Sequence, residues 1–188
     1  MADIQTIYQE TIKFAAAKHG AQKVKGLKIP YVVHLSNVAM EIFMAARKTH
    51  GFDLGYALQV ALLHDTIEDT DTTRQELEMV FGKDIADAVW ALTGDPKLLK
   101  EYRLSDSLAK IRQCPREVGA VKLADRITNL QALPKSWSKG HIGDYLFDAR
   151  QILKALHGSN EYLEERLAAK TEEYGKYLEV ARSQSLKV

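Results

Sequence analysis

The segment at 53–66 contains the run LGYALQVALLHDT, which is apolar around almost its whole helical circumference. A helix of that kind has no face to offer water, so it must lie in the middle of a bundle with other helices packed around it. The rest of the chain supplies those helices. Ile4, Ile7, Tyr8, Ile12 and Ala15 recur at three- and four-residue steps until Gly20 stops the first one. Pro30 introduces a second, from about His34 to Lys48, with Val38, Ile42 and Ala45 on one face and Gly51 beyond its end. Shorter helices are predicted at 73–81 and 83–93, separated by Gly82 and closed by Gly94-Asp95-Pro96, and another at 97–112, ending before Cys114-Pro115. Helical periodicity resumes over 116–133 and stops at Pro134. After a polar loop, Ser136 to Gly140, it returns at 142–156, and beyond Gly158-Ser159-Asn160 a long charged helix runs to about 182. The alternation of half-buried strands is absent over any useful length. The pattern predicts an all-α protein, one helical bundle spanning residues 1–188.

Composition agrees. A chain of 188 residues, 46% hydrophobic, has the material to bury about 70% of its unfolded surface without disulfides or a structural metal. Its 26 Lys+Arg against 25 Asp+Glu exclude the global basic field that drives binding to nucleic-acid polymers, and leave room for a local basic patch. Cys114, the single cysteine, makes no internal disulfide, fits a reducing cytoplasm and rules out a zinc site built on several thiolates. The N-terminus is interrupted by Asp3, Glu10 and Lys13, unlike a signal peptide, and no later run approaches the roughly 18 apolar residues of a membrane helix. A cytoplasmic protein with no membrane partner is expected.

Chemistry concentrates where the central segment ends. His64-Asp65 follows Leu62-Leu63 directly, and Glu68-Asp69 comes one turn later. An ionised carboxylate among leucines needs a compensating cation or a solvated cleft. For an isolated His-Asp pair a polar helix end is the simpler account, but HDxxED closing an apolar helix is a rarer pattern. Continued helical spacing would put His64 beneath Glu68 and Asp65 beneath Asp69, so one turn could meet an ion while the next works on bound water. His34, just after PYVV, and Asp125, in the run VKLAD, are the other polar residues at comparable depth. Two histidines and two carboxylates form a mixed nitrogen and oxygen set suited to manganese, iron or zinc.

His34, His64-Asp65 and Asp125, in that order, resemble the H…HD…D signature of the HD-domain metal-dependent phosphohydrolases. ALLHDTIEDT (61–70), VKLADRITNL (121–130) and PYVVH (30–34) are similar to the hydrolase domain of the RelA/SpoT family, which removes the 3′-pyrophosphate of the alarmone (p)ppGpp. Residues 143–163 resemble the tail of the standalone small alarmone hydrolases, so the likeness covers about residues 5–170. It implies an HD-type bundle with the metal site between central helices. It also implies His34, His64, Asp65 and Asp125 as ligands of one Mn²⁺, and Glu68 and Asp69 as the pair that orients and deprotonates water or assists the leaving group. Among polar residues beyond the ligands, Asn129, one turn after Asp125, faces the same cleft on this reading.

Phosphate recognition needs cations. Lys23, Lys25 and Lys28 cluster before Pro30, where the family carries an Arg-Lys pair against the base. Lys25 matches the lysine, whereas Val24 stands at the arginine position and cannot stack a guanidinium on a purine. Lys100 and Arg103, three apart on one helix, are candidates for the 5′-diphosphate, and His141 and Tyr145, one turn apart, for the nucleotide. His19, His50 and His157 sit near helix ends and read as caps or exposed groups. Trp90 and Trp137 are assigned to packing, with Trp137 also a possible substrate contact from its loop. The expected partner is a small nucleotide, bound by a monomer or a homodimer. Val24 motivates an alternative substrate, an adenine alarmone (ppApp or pApp) or the 2′-phosphate of NADPH. A non-catalytic alarmone-binding module is the alternative of another class, against which the intact Glu68-Asp69 pair argues.

Overall fold

Ten helices are present in the computed structural model, which describes residues 3–130 and 138–185, the side chains of 139 and 178–185 excepted. They are α1 Ile4–His19, α2 Val32–Lys48, α3 Leu54–Leu63, α4 Thr66–Asp69, α5 Arg74–Phe81, α6 Lys83–Leu92, α7 Lys100–Ile111, α8 Arg116–Asn129, α9 Lys139–Ala155 and α10 Glu161–Ser185. Among the described residues the only extended pairing is an isolated bridge between Lys23 and Pro30. The end of the predicted 116–133 helix beyond Leu130, the Pro134 stop and Trp137 lie outside the described residues. No helix among the described residues is long and apolar enough to cross a membrane.

The central position predicted for the apolar segment holds. Helix α3 packs against α1, α2, α6 and α8, and Ala57, Leu58, Val60, Ala61, Leu62 and Leu63 are all fully buried. Burying each leucine is worth about 1.5–3 kcal/mol, so this one helix ties four neighbours to a common core. Local signals set the helix starts. Asp3, Asp53, Thr73 and Ser138 accept hydrogen bonds from the free N–H groups of the first turns of α1, α3, α5 and α9. At the end of α1, Gly20 takes φ 51°, a conformation that a side chain would resist, and its N–H donates to the Ala16 carbonyl. Helix α10 is clasped to α2 by Arg166, whose Nε and Nη2 donate to the buried Glu41 carboxylate at 2.6 and 2.7 Å.

One expectation fails in an informative way. The 53–66 helix does not continue through His64-Asp65; it ends at Leu63, and a new short helix begins at Thr66. Side chains take the carbonyls that a continuing helix would have used. His64 Nδ1 donates to the Ala61 carbonyl at 2.7 Å, and Thr66 Oγ1 donates to the Leu63 carbonyl at 2.7 Å. The break puts the His-Asp pair at the corner between α3 and α4.

Candidate metal centre

Three elements bring the polar residues together. His34 comes from the first turn of α2, His64 and Asp65 from the α3–α4 corner, and Asp125 from the middle of α8. The two histidines face each other, Nε2 to Nε2, at 3.4 Å. Asp125 Oδ1 lies 3.3 Å from His34 Nε2 and 3.6 Å from His64 Nε2. Asp65 Oδ2 lies 2.9 Å from His64 Nε2 and 3.8 Å from His34 Nε2. His34, His64 and Asp125 are buried, and Asp65 is partly open to solvent.

His34, His64 and Asp125 offer donor atoms that all lie within 4.8 Å of one another, a set that fits a divalent ion, and Asp65 stands beside them against His64. Bonds of about 2.0–2.2 Å place neighbouring donors of a first-row ion about 3–3.5 Å apart, close to the separations found here. His64 Nδ1 is committed to the Ala61 carbonyl, which leaves Nε2 facing the cluster, where it could serve a metal. The electrostatics of the cluster favour added positive charge. Burial disfavours a charged His64, yet Asp65 and Asp125 outweigh it and hold the imidazole well above its ordinary pKa. Burial alone would raise the carboxyl of Asp125, but hydrogen bonds with His34 and His64 keep it well below the usual range.

Around this centre the α4 turn carries the acids. Glu68 accepts from the Gly94 N–H at 3.2 Å, and its pKa is raised because burial outweighs that bond and the nearby Lys122 cation. Asp69 accepts from Gln22 Nε2 at 2.8 Å. Lys122, one turn before Asp125 on α8, reaches Asp125 Oδ2 at 3.6 Å and is the ammonium that the site faces. Asn129 Nδ2 donates to Asp125 Oδ1 at 2.6 Å, so this side chain engages the Asp125 carboxylate directly.

The residues put forward for the nucleotide lie on separate elements. Lys25 is exposed in a loop pinched shut by Tyr31 N–H to Gln22 O at 2.9 Å and Val24 N–H to Ile29 O at 3.1 Å. Since Gln22 also holds Asp69 and the Tyr31 hydroxyl donates to Asp65, both ends of that loop are tied to the acids. Lys100 opens α7 and is exposed. Arg103 donates from Nε to Leu98 O and from Nη2 to Pro96 O, both at 3.1 Å, and so braces the loop whose Gly94 meets Glu68. His141 and Tyr145 stack at 5.6 Å on α9, and the Arg126 guanidinium lies 5.0 Å over the Tyr145 ring.

Sequence reasoning missed three contributors. His19 is buried, against its reading as a cap or exposed group, because its ring stacks on Tyr31 at 4.6 Å. His50 and His157 are exposed, as expected. Gln22 and Tyr31 were passed over, since a loop glutamine and a tyrosine near a proline carry no chemical signal of their own. Their register was nonetheless readable: His19 and Gln22 are three apart across a helix stop, and Tyr31 precedes His34 by three.

The fold and site define a helical bundle with a His/Asp centre of the HD type. Residues 11–142 match the family model described as HD domain. A protein of Danio rerio named guanosine-3′,5′-bis(diphosphate) 3′-pyrophosphohydrolase MESH1 is 39% identical over 163 residues, which cover 84% of this chain and 88% of that one. Its Homo sapiens counterpart is 40% identical over 166 residues, 84% and 89% of the two chains. A solved structure described as a metazoan orthologue of SpoT that hydrolyzes ppGpp and plays a role in starvation responses superposes with a TM-score of 0.78 at 30% identity, covering 90% of this chain and 96% of that one. The chain belongs to the HD-domain family, in its MESH1 branch.

Proposed function

We propose that this chain is a metal-dependent (p)ppGpp 3′-pyrophosphohydrolase that releases pyrophosphate and leaves GDP or GTP. The observation that carries the reading is the convergence of His34, His64, Asp65 and Asp125 within one turn of Glu68 and Asp69, in a member of the MESH1 branch. His34, His64, Asp65 and Asp125 would hold one divalent ion, Mn²⁺ in our reading. Such an ion, when bound, supplies positive charge against the scissile phosphate and makes water more acidic.

The remaining work falls to the chain. Glu68, made more basic by burial, takes the proton of the attacking water. Asp69, held by Gln22, orients that water. The water oxygen bonds to the phosphorus next to the ribose, the bond from that phosphorus to the ribose 3′-oxygen breaks, and the 3′-oxygen receives a proton as pyrophosphate departs. Lys122 faces the charge that develops on the phosphate. Lys25, Lys100, Arg103, Asn129, His141 and Tyr145 are the proposed contacts to the nucleotide, with Arg103 acting through the 94–98 loop that it braces. The single thiol fits a cytoplasmic setting for this activity.

The test is release of pyrophosphate and GDP from ppGpp by the purified protein with Mn²⁺, run beside ppApp because Val24 stands where the family carries arginine. Asp69→Asn should keep the metal and lose turnover by about two orders of magnitude or more. A protein that binds Mn²⁺ yet releases no pyrophosphate from ppGpp refutes the substrate assignment.

A further inference from the structure

Asp69 is exposed, and an exposed aspartate on a four-residue helix has no fixed rotamer of its own. It is fixed here from across the chain. Gln22 Nε2 donates to Asp69 Oδ2 at 2.8 Å, and Gln22 Oε1 lies 2.8 Å from His19 Nδ1. The chemistry of the three groups allows one assignment of hydrogens. A carboxylate only accepts, so the amide nitrogen must face Asp69, the amide oxygen must face His19, and His19 must carry its proton on Nδ1. The other ring nitrogen, Nε2, is buried and meets no partner among the described residues. A bare lone pair tolerates that place better than an N–H would. Were the His19 proton on Nε2 instead, Nδ1 and Oε1 would be two acceptors in contact, and the amide would turn its oxygen toward the carboxylate.

We propose that Gln22 is the positioning residue of Asp69 and that His19 sets the sense of its amide, so that the chain His19 Nδ1–H to Gln22 Oε1 and Gln22 Nε2–H to Asp69 Oδ2 holds the water-orienting carboxylate in its working rotamer. The inference rests on the hydrolase reading above. Among the described residues neither side chain hydrogen-bonds to or stacks on His34, His64, Asp65 or Asp125, and the same block is locked at its other side by the His19 ring stacked on Tyr31. Because Gln22 and Tyr31 close the loop that carries Lys25, the piece of chain facing the nucleotide is also the piece that aims the acid.

The test uses full-length protein and three variants. Gln22→Ala removes the donor. His19→Phe keeps a ring to stack on Tyr31 and removes the Nδ1–H, whereas His19→Asn places an amide N–H near the position of Nδ1 and gives up the stack. With the carboxylate released from one geometry, kcat should fall about 10- to 100-fold in Gln22→Ala and His19→Phe, with KM within about twofold of wild type. His19→Asn should recover most of the loss in kcat although it is the less stable of the two. A role in packing alone predicts the opposite order, with His19→Phe more active than His19→Asn, and would overturn the proposal. Ring ¹⁵N shifts give a readout independent of turnover: His19 should be the Nδ1–H tautomer in wild type and shift toward Nε2–H in Gln22→Ala. An Nε2–H tautomer in wild type overturns the proposal, as does undiminished kcat in Gln22→Ala beside an inactive Asp69→Asn. Those outcomes leave the hydrolase reading standing, whereas a wild type inactive on ppGpp with a correct Nδ1–H tautomer removes the hydrolase reading and, with it, the catalytic consequence claimed for Gln22.

Discussion

Tyr31 offers the sharpest probe of the metal centre, because one atom can be removed from it with little else disturbed. Its ring is held between His19 at 4.6 Å and His34 at 5.2 Å, and its hydroxyl donates to Asp65 Oδ2. Burial and the adjacent Asp65 both raise the hydroxyl's pKa, so it stays a donor across the working range. Tyr31→Phe preserves both ring contacts and deletes the donor. A hydrogen bond to a charged group is worth about 1.5–3 kcal/mol. Asp65 keeps its contact with His64 at 2.9 Å and its side chain is 22% exposed, so water replaces part of the loss and about 1–2 kcal/mol remains. That amounts to about 5- to 30-fold weaker binding of a divalent ion, the size expected when a group that orients a ligand is removed. Calorimetric titration of Mn²⁺ into chelator-stripped protein measures it, with melting of the metal-free proteins as the control for folding. Unchanged affinity in a variant that melts like wild type would show that Asp65 is oriented without Tyr31, or that it is not a ligand.

Three further outcomes are expected. Lys122 pulls the Glu68 pKa down against burial, so Lys122→Met should raise it further and move the acid limb of the kcat–pH profile to higher pH; since Glu68 must be unprotonated to accept a proton, a limb that stays put or moves down assigns it to another group. Arg166→Ala strands the buried Glu41 carboxylate, a loss of about 3–5 kcal/mol for a fully buried pair, reduced to about 2–3 kcal/mol here because the arginine side chain is 38% exposed; urea unfolding measures it, and a loss below about 1 kcal/mol would mean water already serves Glu41. A Cβ on Gly119 would lie 2.3 Å from Ser159 Oγ and 2.9 Å from Ser159 Cβ, so Gly119→Ala should cost about 1–2 kcal/mol despite the better helix propensity of alanine, and Ser159→Gly in the same chain should restore the melting temperature.

The parts of this architecture legible in the sequence are those in which one residue type permits one environment. An all-round apolar run has nowhere to go but the centre, and α3 sits there. His34, His64 and Asp125 are polar groups at apolar depth, and that depth, together with the HDxxED pattern and the likeness to the H…HD…D signature, made them candidates that the fold then brings within 3.6 Å of one another. The helix break at His64 was not legible, because it depends on whether two side chains outcompete the backbone for the Ala61 and Leu63 carbonyls, and helical periodicity records only the backbone's preference. The His19–Gln22–Asp69 chain was hidden for another reason. Its decisive bond joins positions 47 apart, and neither a glutamine in a loop nor a histidine at a helix end announces a distant partner. Lys122 lay between these cases: its spacing of three from Asp125 was visible, but only the fold shows that both side chains point into the site.

Charge explains why the centre is built on oxygen and nitrogen donors with the Lys122 ammonium beside them. Across the whole chain 26 cations offset 25 carboxylates, yet Asp65, Glu68, Asp69 and Asp125 are gathered in one place with Lys122 beside them. A cluster of that sign repels a polyanion, and burial amplifies the repulsion. The carboxylates favour a proton on buried His64, holding its pKa well above the ordinary value against the cost of burial. A divalent ion seated among His34, His64, Asp65 and Asp125 would displace that proton and reverse the local sign. Attraction of a phosphate and activation of water would then come from the same event, and neither would be available to the chain without it. On this argument the near-neutral net charge and the acidic site are consistent with each other, because the cation that a diphosphate needs is recruited from solution and is not encoded as a basic surface.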